Sequence, residues 1–295
     1  MITVLTPTYN RGYILKNAYE SLCSQTNNDF EWVIVDDGST DETSQLVETW
    51  IKQTLDFKIH YFKQPNGGKH RAVNFGVSKA KGEYILILDS DDYLTSDAIA
   101  FVSSHLKEVA SNDFAGISGL KGWSNSPRVI GDQDNDDTFI DATNIERTKK
   151  GLEGDKAEVY KRDILIEYPF PEFQGENFLR ESASWDRIAL DGYKIRWYNH
   201  VICKCNYLDD GLTQKNNVEM YVNNYQGFIY CTQLSLKTAS FPYNLIKIGQ
   251  FEEVAKASGN SNGEICKTLN IGYLKLINGI ILFKTRRIIM TILNK

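Results

Sequence analysis

Three carboxylates crowd into four residues at Asp89-Ser90-Asp91-Asp92, directly after the apolar run 84–88. Carboxylates this close repel one another and cost stability unless a cation lies among them. A divalent ion is the natural partner, because Mg²⁺ and Mn²⁺ prefer oxygen ligands and keep substrate phosphates in their coordination shell. Such an ion would neutralise charge that develops on a diphosphate leaving group. The alternative is an Asp-rich start to the following helix, with Asp92 or Thr95 as its cap.

Two further polar clusters also follow apolar runs. Pro7-Thr8-Tyr9-Asn10 comes after the run 2–5, and Asp36-Asp37 comes after the run 31–35. By itself, Asp36-Asp37-Gly38 would be no more than a turn that ends a strand, since Asp and Gly are turn formers.

The elements that carry these clusters alternate regularly. Hydrophobic patterning predicts strands at 2–5, 31–35, 57–62 and 84–88, separated by helices at 13–25, 39–54 and 67–79. Near-continuous apolar strands joined by helices indicate a mostly parallel sheet with helices on both faces. Ligands of such sheets bind beyond the carboxyl ends of the strands. The three polar clusters are therefore expected to converge on one edge and form a site.

The second half of the chain is patterned differently. We predict a helix at 96–109, strands at 114–123 and 156–161, a helix at 182–190, and strands at 193–197 and 201–207. The acid-rich stretch 124–141 is interpreted as a mobile loop over the site, and the chain beyond Gly211 is predicted to be helical.

Composition excludes several classes of protein. A formal net charge of -5 argues against a nucleic-acid binder, which would need a basic surface. The five cysteines are odd in number and have no CxxC spacing, which disfavours a zinc site and favours a reducing compartment. No signal peptide and no apolar run of 18 residues is visible, so we expect a cytoplasmic protein without a membrane span.

Taken together, the segments of the first hundred residues resemble the family 2 glycosyltransferases of the GT-A fold. The resemblance covers residues 1 to about 95 and is looser from 155 to 212. It rests on six motifs in order: Thr6-Pro7-Thr8-Tyr9-Asn10-Arg11, Val35-Asp36-Asp37-Gly38-Ser39-Thr40-Asp41, Asn66-Gly67-Gly68-Lys69, Asn74-Phe75-Gly76, Gly82-Glu83-Tyr84 and Leu88-Asp89-Ser90-Asp91-Asp92. It implies an enzyme that uses Mn²⁺ or Mg²⁺ and moves a sugar from a nucleoside diphosphate sugar, a UDP-sugar in the first place, to a saccharide acceptor.

The same resemblance implies a role for each matching residue. Tyr9 and the backbone at Thr8 would cradle the base, and Asp37 would accept the imide N–H of uracil. Asp89 would contact the ribose, the metal or a metal-bound water, and Asp91 would be the principal metal ligand, while basic residues would approach the ribose or the diphosphate. The remaining residues implied in nucleotide binding are Pro7, Arg11, Asp36, Lys69, Arg71 and Ser90.

An inverting transferase also needs a general base near the acceptor hydroxyl. In the family it is an acid before a helix, within an acidic pair followed by an Arg-apolar-Ala run. Counting back from Arg187-Ile188-Ala189 places Glu181 on the base position, with Arg180 where an acid usually stands. Glu176 in Gly175-Glu176-Asn177 is the rival, and Glu181 as an ordinary first-turn acid is the third possibility.

The resemblance divides the chain into a nucleotide-sugar-binding half at 1–95, an acceptor-binding half at 96–212 and a helical extension at 213–295. The tail 270–295 mixes Ile, Leu and Phe with basic residues and has no acid. This pattern favours peripheral contact with the inner face of the cell membrane, where a lipid-linked acceptor for polysaccharide synthesis would lie. Docking of the tail on the protein is the alternative.

Two other functions share the alternating sheet. A sugar nucleotidyltransferase would need a glycine-rich, basic loop after the first strand to hold a triphosphate, and Thr8-Tyr9-Asn10-Arg11-Gly12 matches this poorly. A non-catalytic nucleotide-sugar binding module would not need both the acid cluster and a downstream acid.

Overall fold

A computed structural model describes residues 1–53, 55–131, 138–206 and 217–293. In chain order the elements are β1 (Ile2–Thr8), α1 (Leu15–Cys23), β2 (Phe30–Asp36), α2 (Thr43–Ile51), β3 (Lys58–Lys63), α3 (Lys69–Lys79), β4 (Tyr84–Ile87), β5 (Tyr93–Leu94), α4 (Ala98–His105), β6 (Phe114–Trp123), β7 (Phe139–Ala142), β8 (Lys156–Lys161), α5 (Arg162–Glu167), α6 (Ser182–Leu190), β9 (Lys194–Cys205), α7 (Val218–Asn223), α8 (Tyr225–Thr238), α9 (Tyr243–Ala257), α10 (Asn262–Leu269) and α11 (Tyr273–Leu293). Short 3₁₀ helices cover Leu106–Val109 and Asn144–Lys150.

The described strands form one mixed sheet in the order β3-β2-β1-β4-β8-β6-β9-β5, with β7 paired to β9. The first four strands of this order are mutually parallel, and β8 is antiparallel to both β4 and β6. Every residue of β1 and β2 is buried, as expected for strands covered on both faces. The predicted α/β fold, with a mostly parallel first half, a mixed second half and a helical C-terminal region, is confirmed.

Strand β1 runs three residues further than predicted, through Pro7 to Thr8. The carbonyl of Leu5 accepts from the N–H of Leu88. The backbone polar groups of every second residue of β1, counted from Leu5, therefore point towards β4. Pro7 faces the same side, beyond the point where β4 pairing ends at Leu5↔Ile87. Proline is tolerated there because no ladder hydrogen bond is lost.

The second half differs from prediction in two places. The strands expected at 193–197 and 201–207 are a single strand, β9, over the residues described. Within the expected loop 124–141, Phe139–Ala142 is a strand, because Asp141 is fixed by the guanidinium of Arg196 on β9 at 2.8 Å from both of its oxygens. Residues 132–137 of that loop lie outside the described residues.

The chain separates into two compact units. The first comprises Met1–Phe170 and Arg187–Tyr207, and the second comprises Pro171–Asp186 and Leu208–Lys295. The boundaries predicted at 95 and 212 stay a prediction.

Each unit has its own apolar core. In the first, Trp32 on β2 is fully buried between α1 and α2, beside the stacked rings of Tyr19 and Trp50. In the second, Phe251 and Ile248 on α9 and Leu276 on α11 have no more than 1% exposure and form the centre.

None of the helices within the described ranges is by itself long and apolar enough to cross a membrane. One sharply bent pair, Asn262–Leu269 with Tyr273–Ile292 at 101°, has that length and composition together.

Candidate active site

The three polar clusters meet at the carboxyl edge of the parallel strands. Thr8 pairs in register with Asp36, and the N–H of Asp37 donates to the carbonyl of Thr8 at 2.8 Å. The acid cluster begins two residues after the last β1–β4 pair, Leu5↔Ile87. The convergence expected from strand alternation is therefore confirmed.

Asp36 is fully buried and holds the loop that follows β2. Its Oδ1 accepts from the N–H of Ser39 at 2.7 Å, and its Oδ2 accepts from the hydroxyl of Tyr61 at 2.5 Å. Burial alone would raise the pKa of Asp36, but these hydrogen bonds, with Lys63 at 3.7 Å, outweigh burial and lower it. Asp36 is thus an ionised anchor for the loop.

Asp37 is almost wholly buried and clamps the segment that leads into α3. One oxygen accepts from Gln64 at 2.7 Å and from the N–H of Gly67 at 3.0 Å, and the other accepts from Asn66 at 3.1 Å and from the N–H of Gly68 at 2.7 Å. A carboxylate offers about four acceptor positions, and protein donors occupy four here. Its expected contact with a uracil imide stays a prediction, and the contact would have to replace one of these donors.

The exit of β1 exposes different groups to solvent. Tyr9 is 47% exposed beside Thr8, whose buried hydroxyl oxygen has no hydrogen-bond partner among the described residues. Asn10 adopts a left-handed backbone with φ 52° and accepts from the N–H of Thr40 at 2.8 Å. Arg11 contacts the hydroxyl of Tyr13 at 2.5 Å. The loop thus presents an aromatic ring and a guanidinium at the strand edge.

The acid cluster is compensated by lysines. Lys69, the first residue of α3, lies 2.5 Å from Asp89, and Lys121 on β6 lies 3.8 Å from Asp89 and 2.7 Å from Asp92. Burial would raise the pKa of Asp89, but Lys69 and Lys121 lower it to about 2. The cation expected among these carboxylates is thus supplied, for two of the three, by ammonium groups.

Asp91 differs from Asp89 and Asp92 because it has no ion pair with a lysine among the described residues. Burial also raises the pKa of Asp92, to about 6, although Lys121 acts in the opposite direction. Burial and the neighbouring charge of Asp89 raise the pKa of Asp91, and the more distant Arg11 and Lys69 only reduce this rise. Among the residues described, no group of three or more His, Cys, Asp or Glu side chains is arranged to hold a metal ion.

The capping alternative for the cluster is wrong. Helix α4 begins at Ala98 without a side-chain cap, the carboxylate of Asp92 pairs with Lys121, and the hydroxyl of Thr95 donates to the carbonyl of Val201.

Lys121 is a site residue that the sequence interpretation missed. Its side chain is only 13% exposed, and Asp89 and Asp92 raise its pKa well above the usual value in spite of burial. The available signal was a single charged residue within the strand Phe114–Trp123, which is otherwise apolar or small. A buried lysine in such a strand requires a carboxylate partner.

The two candidate bases lie in the second unit and differ in their surroundings. The carboxylate of Glu176 accepts from the N–H groups of Gln226 at 2.6 Å and Gly227 at 2.8 Å, at the start of α8. Glu181 is exposed, and its carbonyl accepts from Ser184 and Trp185 in the first turn of α6. Glu176 is therefore used as a helix cap, whereas Glu181 stands immediately before a helix, as the resemblance implies.

A family model described as Glycosyl transferase family 2 matches residues 3–168, more than half of the chain. The chain belongs to this family. The matched segment contains β1 to α5 and every residue of the carboxyl edge, whereas Glu176 and Glu181 lie beyond it.

Curated relatives match a shorter stretch of the chain than the family model does. The poly(ribitol-phosphate) β-N-acetylglucosaminyltransferase TarS of Staphylococcus aureus is 35% identical over 123 residues, which are 40% of this chain and 21% of TarS. The glycosyltransferase GlyG of Streptococcus pneumoniae is 38% identical over 109 residues, 37% of this chain and 36% of GlyG. The chain thus matches about a fifth to about a third of the length of these curated relatives.

Solved structures show the same fold. TarS 1-349 in complex with UDP-GlcNAc superposes with a TM-score of 0.58 at 20% identity, over 87% of this chain and 72% of that one. The mannosyltransferase PcManGT of Pyrobaculum calidifontis, solved with GDP-Man and Mn²⁺, gives a TM-score of 0.55 at 17% identity, over 96% and 86% of the two chains. At these identities the likeness is one of fold.

Proposed function

We propose that this chain is an inverting glycosyltransferase that moves a sugar from a UDP-sugar to a saccharide acceptor in cell-surface polysaccharide synthesis. The observation that carries the proposal is the carboxyl edge itself. Within the segment that matches the family, one strand end presents Tyr9, a second presents Asp37, and a third presents an acid cluster with a single carboxylate, Asp91, outside the lysine ion pairs. In parallel sheets this edge is where nucleotides bind.

The donor is assigned to this edge by the chemistry of its groups. An exposed aromatic ring at Tyr9 can stack on a base, and the unsatisfied hydroxyl of Thr8 can contact it. Lys69 and Arg71 in the first turn of α3 bring positive charge and a helix N-terminus to the diphosphate. A uridine donor is supported by the TarS complexes with UDP and UDP-GlcNAc. An N-acetylhexosaminyl or hexosyl group is therefore the first donor to test.

A divalent ion fits this edge if the donor completes its coordination. Magnesium and manganese are held by one or two carboxylates together with substrate phosphates. Asp91 provides one such carboxylate. Burial, and then the charge of Asp89, raise the pKa of Asp91, and a bound cation would favour its ionised form. Asp89, bound to Lys69 at 2.5 Å, is better placed to orient that lysine than to act as the second ligand expected from sequence. The ion, when bound, would supply positive charge at the diphosphate, as Mn²⁺ accompanies GDP-Man in PcManGT.

The chain's own residues would carry out the proton transfer. Glu181 would accept the proton of the acceptor hydroxyl as that oxygen forms a bond to the anomeric carbon, on the face opposite the leaving group. The bond from the anomeric carbon to the diphosphate oxygen breaks, and its electron pair leaves with UDP. Glu176 is disfavoured for this role because both of its oxygens cap α8.

In this proposal residues 1–95 bind the nucleotide sugar, 96–212 contribute acceptor contacts, and 213–295 form a helical extension. Helix α11 at the end of the extension has two distinct halves. Its first half packs on α9, with Leu276 fully buried and Gly279 in close contact with Ile248. From residue 284 onward, every residue whose exposure is described is exposed, including Ile288 and Ile292.

We further propose that this exposed half of α11 binds the cytoplasmic membrane surface, where a lipid-linked acceptor would be concentrated. Basic residues near an anionic surface gain about 1 kcal/mol each, and Lys284 and Arg286 are exposed beside the apolar residues. Wild-type protein should sediment with anionic vesicles at low salt, and the double variant Ile288→Ser/Ile292→Ser should not. Wild-type protein that stays in the supernatant would contradict peripheral binding.

The enzymatic proposal is tested with a panel of UDP-, GDP- and dTDP-sugars, with release of nucleoside diphosphate measured in Mn²⁺. Turnover of a UDP-sugar that stops in EDTA and returns with Mn²⁺ is expected. A nucleotidyltransferase would instead turn over a sugar phosphate and UTP with release of pyrophosphate. Full turnover in excess EDTA would contradict the metal requirement, and no turnover of any donor would contradict the function.

A further inference from the structure

The second unit brings together three basic side chains from separate segments: Arg180 before α6, Lys247 on α9 and Arg286 on α11. The guanidinium of Arg180 lies 4.8 Å from the ring centroid of Tyr221, and its Nε lies 3.0 Å from the hydroxyl oxygen of that ring. The guanidinium of Arg286 lies 5.9 Å from the ring centroid of Tyr243. Both cations act electrostatically on Lys247. These three residues are called the basic cluster below.

Close packing of α9 on α11 holds Lys247 in place. A side chain on Gly249, two residues further along α9, would lie 2.3 Å from Cβ of Phe283, so the two helices approach with no room between them there. In the part of the chain that the structure describes, Lys247 makes neither a hydrogen bond nor an ion pair. Lys247 is half-buried, and its ammonium group keeps some contact with solvent.

The charges around Lys247 do not balance. Burial first, and then Arg180 and Arg286, lower the pKa of Lys247 to about 8, while Cys231 and Asp186 act in the opposite direction. Among the described groups that act most strongly on Lys247, Asp186 is the one carboxylate, whereas Arg180 and Arg286 are cations. Like charges held together cost free energy unless an opposite charge joins them.

The position of Arg180 adds a separate observation. It directly precedes Glu181, the proposed base, in the same unit, and it stands where the family resemblance leads us to expect an acid. Nε and one Nη of Arg180 donate to the hydroxyl of Tyr221, which fixes the plane of the guanidinium. The N–H groups on its other edge can donate to a phosphate.

We propose that Arg180, Lys247 and Arg286 form an anion subsite that binds a phosphate group of the saccharide or polyol acceptor. This inference rests on the proposed function, because it names the substrate class that would be offered to Glu181. Among the described groups that act most strongly on Lys247, the cations outnumber the one carboxylate, and this positive charge suits a phosphate group.

The direct test is calorimetric titration of glycerol 3-phosphate, with glycerol as the uncharged ligand control. The wild-type protein should bind glycerol 3-phosphate and not glycerol. Lys247→Met, which removes the charge and keeps the aliphatic stem, should weaken this binding at least tenfold. The matched control is Lys237→Met, since Lys237 is an exposed lysine at the end of α8 in the same unit, and this variant should bind as wild type. Equal binding of both ligands by the wild-type protein would overturn the proposal.

A second readout is independent of whether the variants fold. In protein with isotope-labelled lysines, the titration of Lys247 near pH 8 should move to higher pH when saturating sulfate is added, because a bound anion favours the ammonium form. Glycerol 3-phosphate binding should accordingly weaken above pH 8, where Lys247 loses its charge. A Lys247 titration that sulfate does not move would overturn the subsite.

The failure of this inference and the failure of the proposed function are distinguishable. Hydrolysis of a UDP-sugar by the wild-type protein reports on the function alone, whereas the anion titrations need no donor. Inorganic phosphate is a further ligand for the same titration, and we expect it to bind more weakly than glycerol 3-phosphate. Equal affinity for the two would assign the cluster to free phosphate and overturn its role in acceptor binding.

Discussion

Two charged clusters of this molecule differ in how far their charges are compensated within the protein. At the carboxyl edge of the sheet, Asp89 and Asp92 are matched by Lys69 and Lys121 within the protein. In the second unit, Asp186 is the one carboxylate among the described groups that act most strongly on Lys247, beside the cations Arg180 and Arg286. The first cluster is close to neutral before any ligand arrives, and the second is not.

The difference shows which charges a ligand is expected to supply. A compensated cluster can hold its geometry without ligand, and it leaves a single carboxylate, Asp91, for a donor-linked cation. An uncompensated cluster stores unfavourable repulsion that an anion would relieve. On this account the donor edge is organised in advance, whereas the basic cluster is completed by substrate.

The largest expected effect comes from removing the compensation at the donor edge. Lys121→Met leaves Asp89 and Asp92 with less positive charge in a buried setting, and breaking a buried pair costs about 3–5 kcal/mol. Urea unfolding should show a loss of this order in the free energy of unfolding, while Lys107→Met, at an exposed position, should show little change. A loss below about 1 kcal/mol would mean that the acid cluster does not depend on Lys121.

The same variant should respond differently to acid. Asp89 has a folded-state pKa of about 2, below its unfolded value of about 3.9. Its contribution to stability is therefore complete above pH 4 and is lost as the pH falls towards 2. In Lys121→Met this depression should shrink, so acid unfolding should begin at a higher pH than in the wild type. Coincident acid-unfolding curves for the two proteins would contradict the assignment.

The next largest effect concerns turnover, which should depend strongly on Asp91. Asp91→Asn keeps the size of the side chain and removes its charge, and loss of one group that stabilises a developing charge lowers kcat by about 10²–10³-fold. Steady-state release of UDP in Mn²⁺ measures this effect. Among the described residues Asp91 makes no ion pair with a lysine, so Asp91→Asn should lower the free energy of unfolding less than Lys121→Met does. A larger loss in Asp91→Asn would contradict the difference between Asp91 and its two neighbours.

The two glutamates of the second unit are expected to differ in their effect on glycosyl transfer. Glu181→Gln should lower glycosyl transfer at least ~10²-fold, the low end for a general base, while UDP affinity by calorimetry stays close to wild type. A loss of UDP affinity that accounts for the whole effect would remove Glu181 from proton transfer.

Glu176→Gln gives the smaller effect and acts on stability. Its two hydrogen bonds to the start of α8 lose their charge, and loss of such a cap costs about 1 kcal/mol. Thermal unfolding should show this loss, with transfer close to wild type. The reverse ranking of the two variants in transfer would give the base role to Glu176.

The donor half could be predicted from the sequence because its signals are local. Apolar runs such as the one ending at Leu5 predict strands, and alternation with helices places the strand ends on one edge. The ion pair between Lys121 and Asp92 could not be predicted in this way. The two residues are 29 positions apart, and the pair arises only when β6 joins the sheet beyond β8.

The basic cluster was hidden for the same reason. Arg180 was visible only as a departure from the expected acid, and Lys247 stands in a helix whose sequence pattern gives no sign of a site. Arg286 stands in the tail for which the sequence predicts membrane contact and not an anion subsite. Their association depends on the packing of α9 on α11, where Gly249 and Gly279 allow close approach. Charge surplus is a property of the assembled unit, so no motif reports it.

The most direct measurement of the central claim is ¹H NMR of UDP-GlcNAc hydrolysis in Mn²⁺, recorded before the released sugar equilibrates between its anomers. Water then takes the place of the acceptor, so no acceptor has to be known. Because the donor is α-linked, single inversion by one base predicts that β-N-acetylglucosamine appears first and that Asp91→Asn abolishes its appearance. Release of the α-anomer first, or hydrolysis that Asp91→Asn leaves intact, would contradict the account.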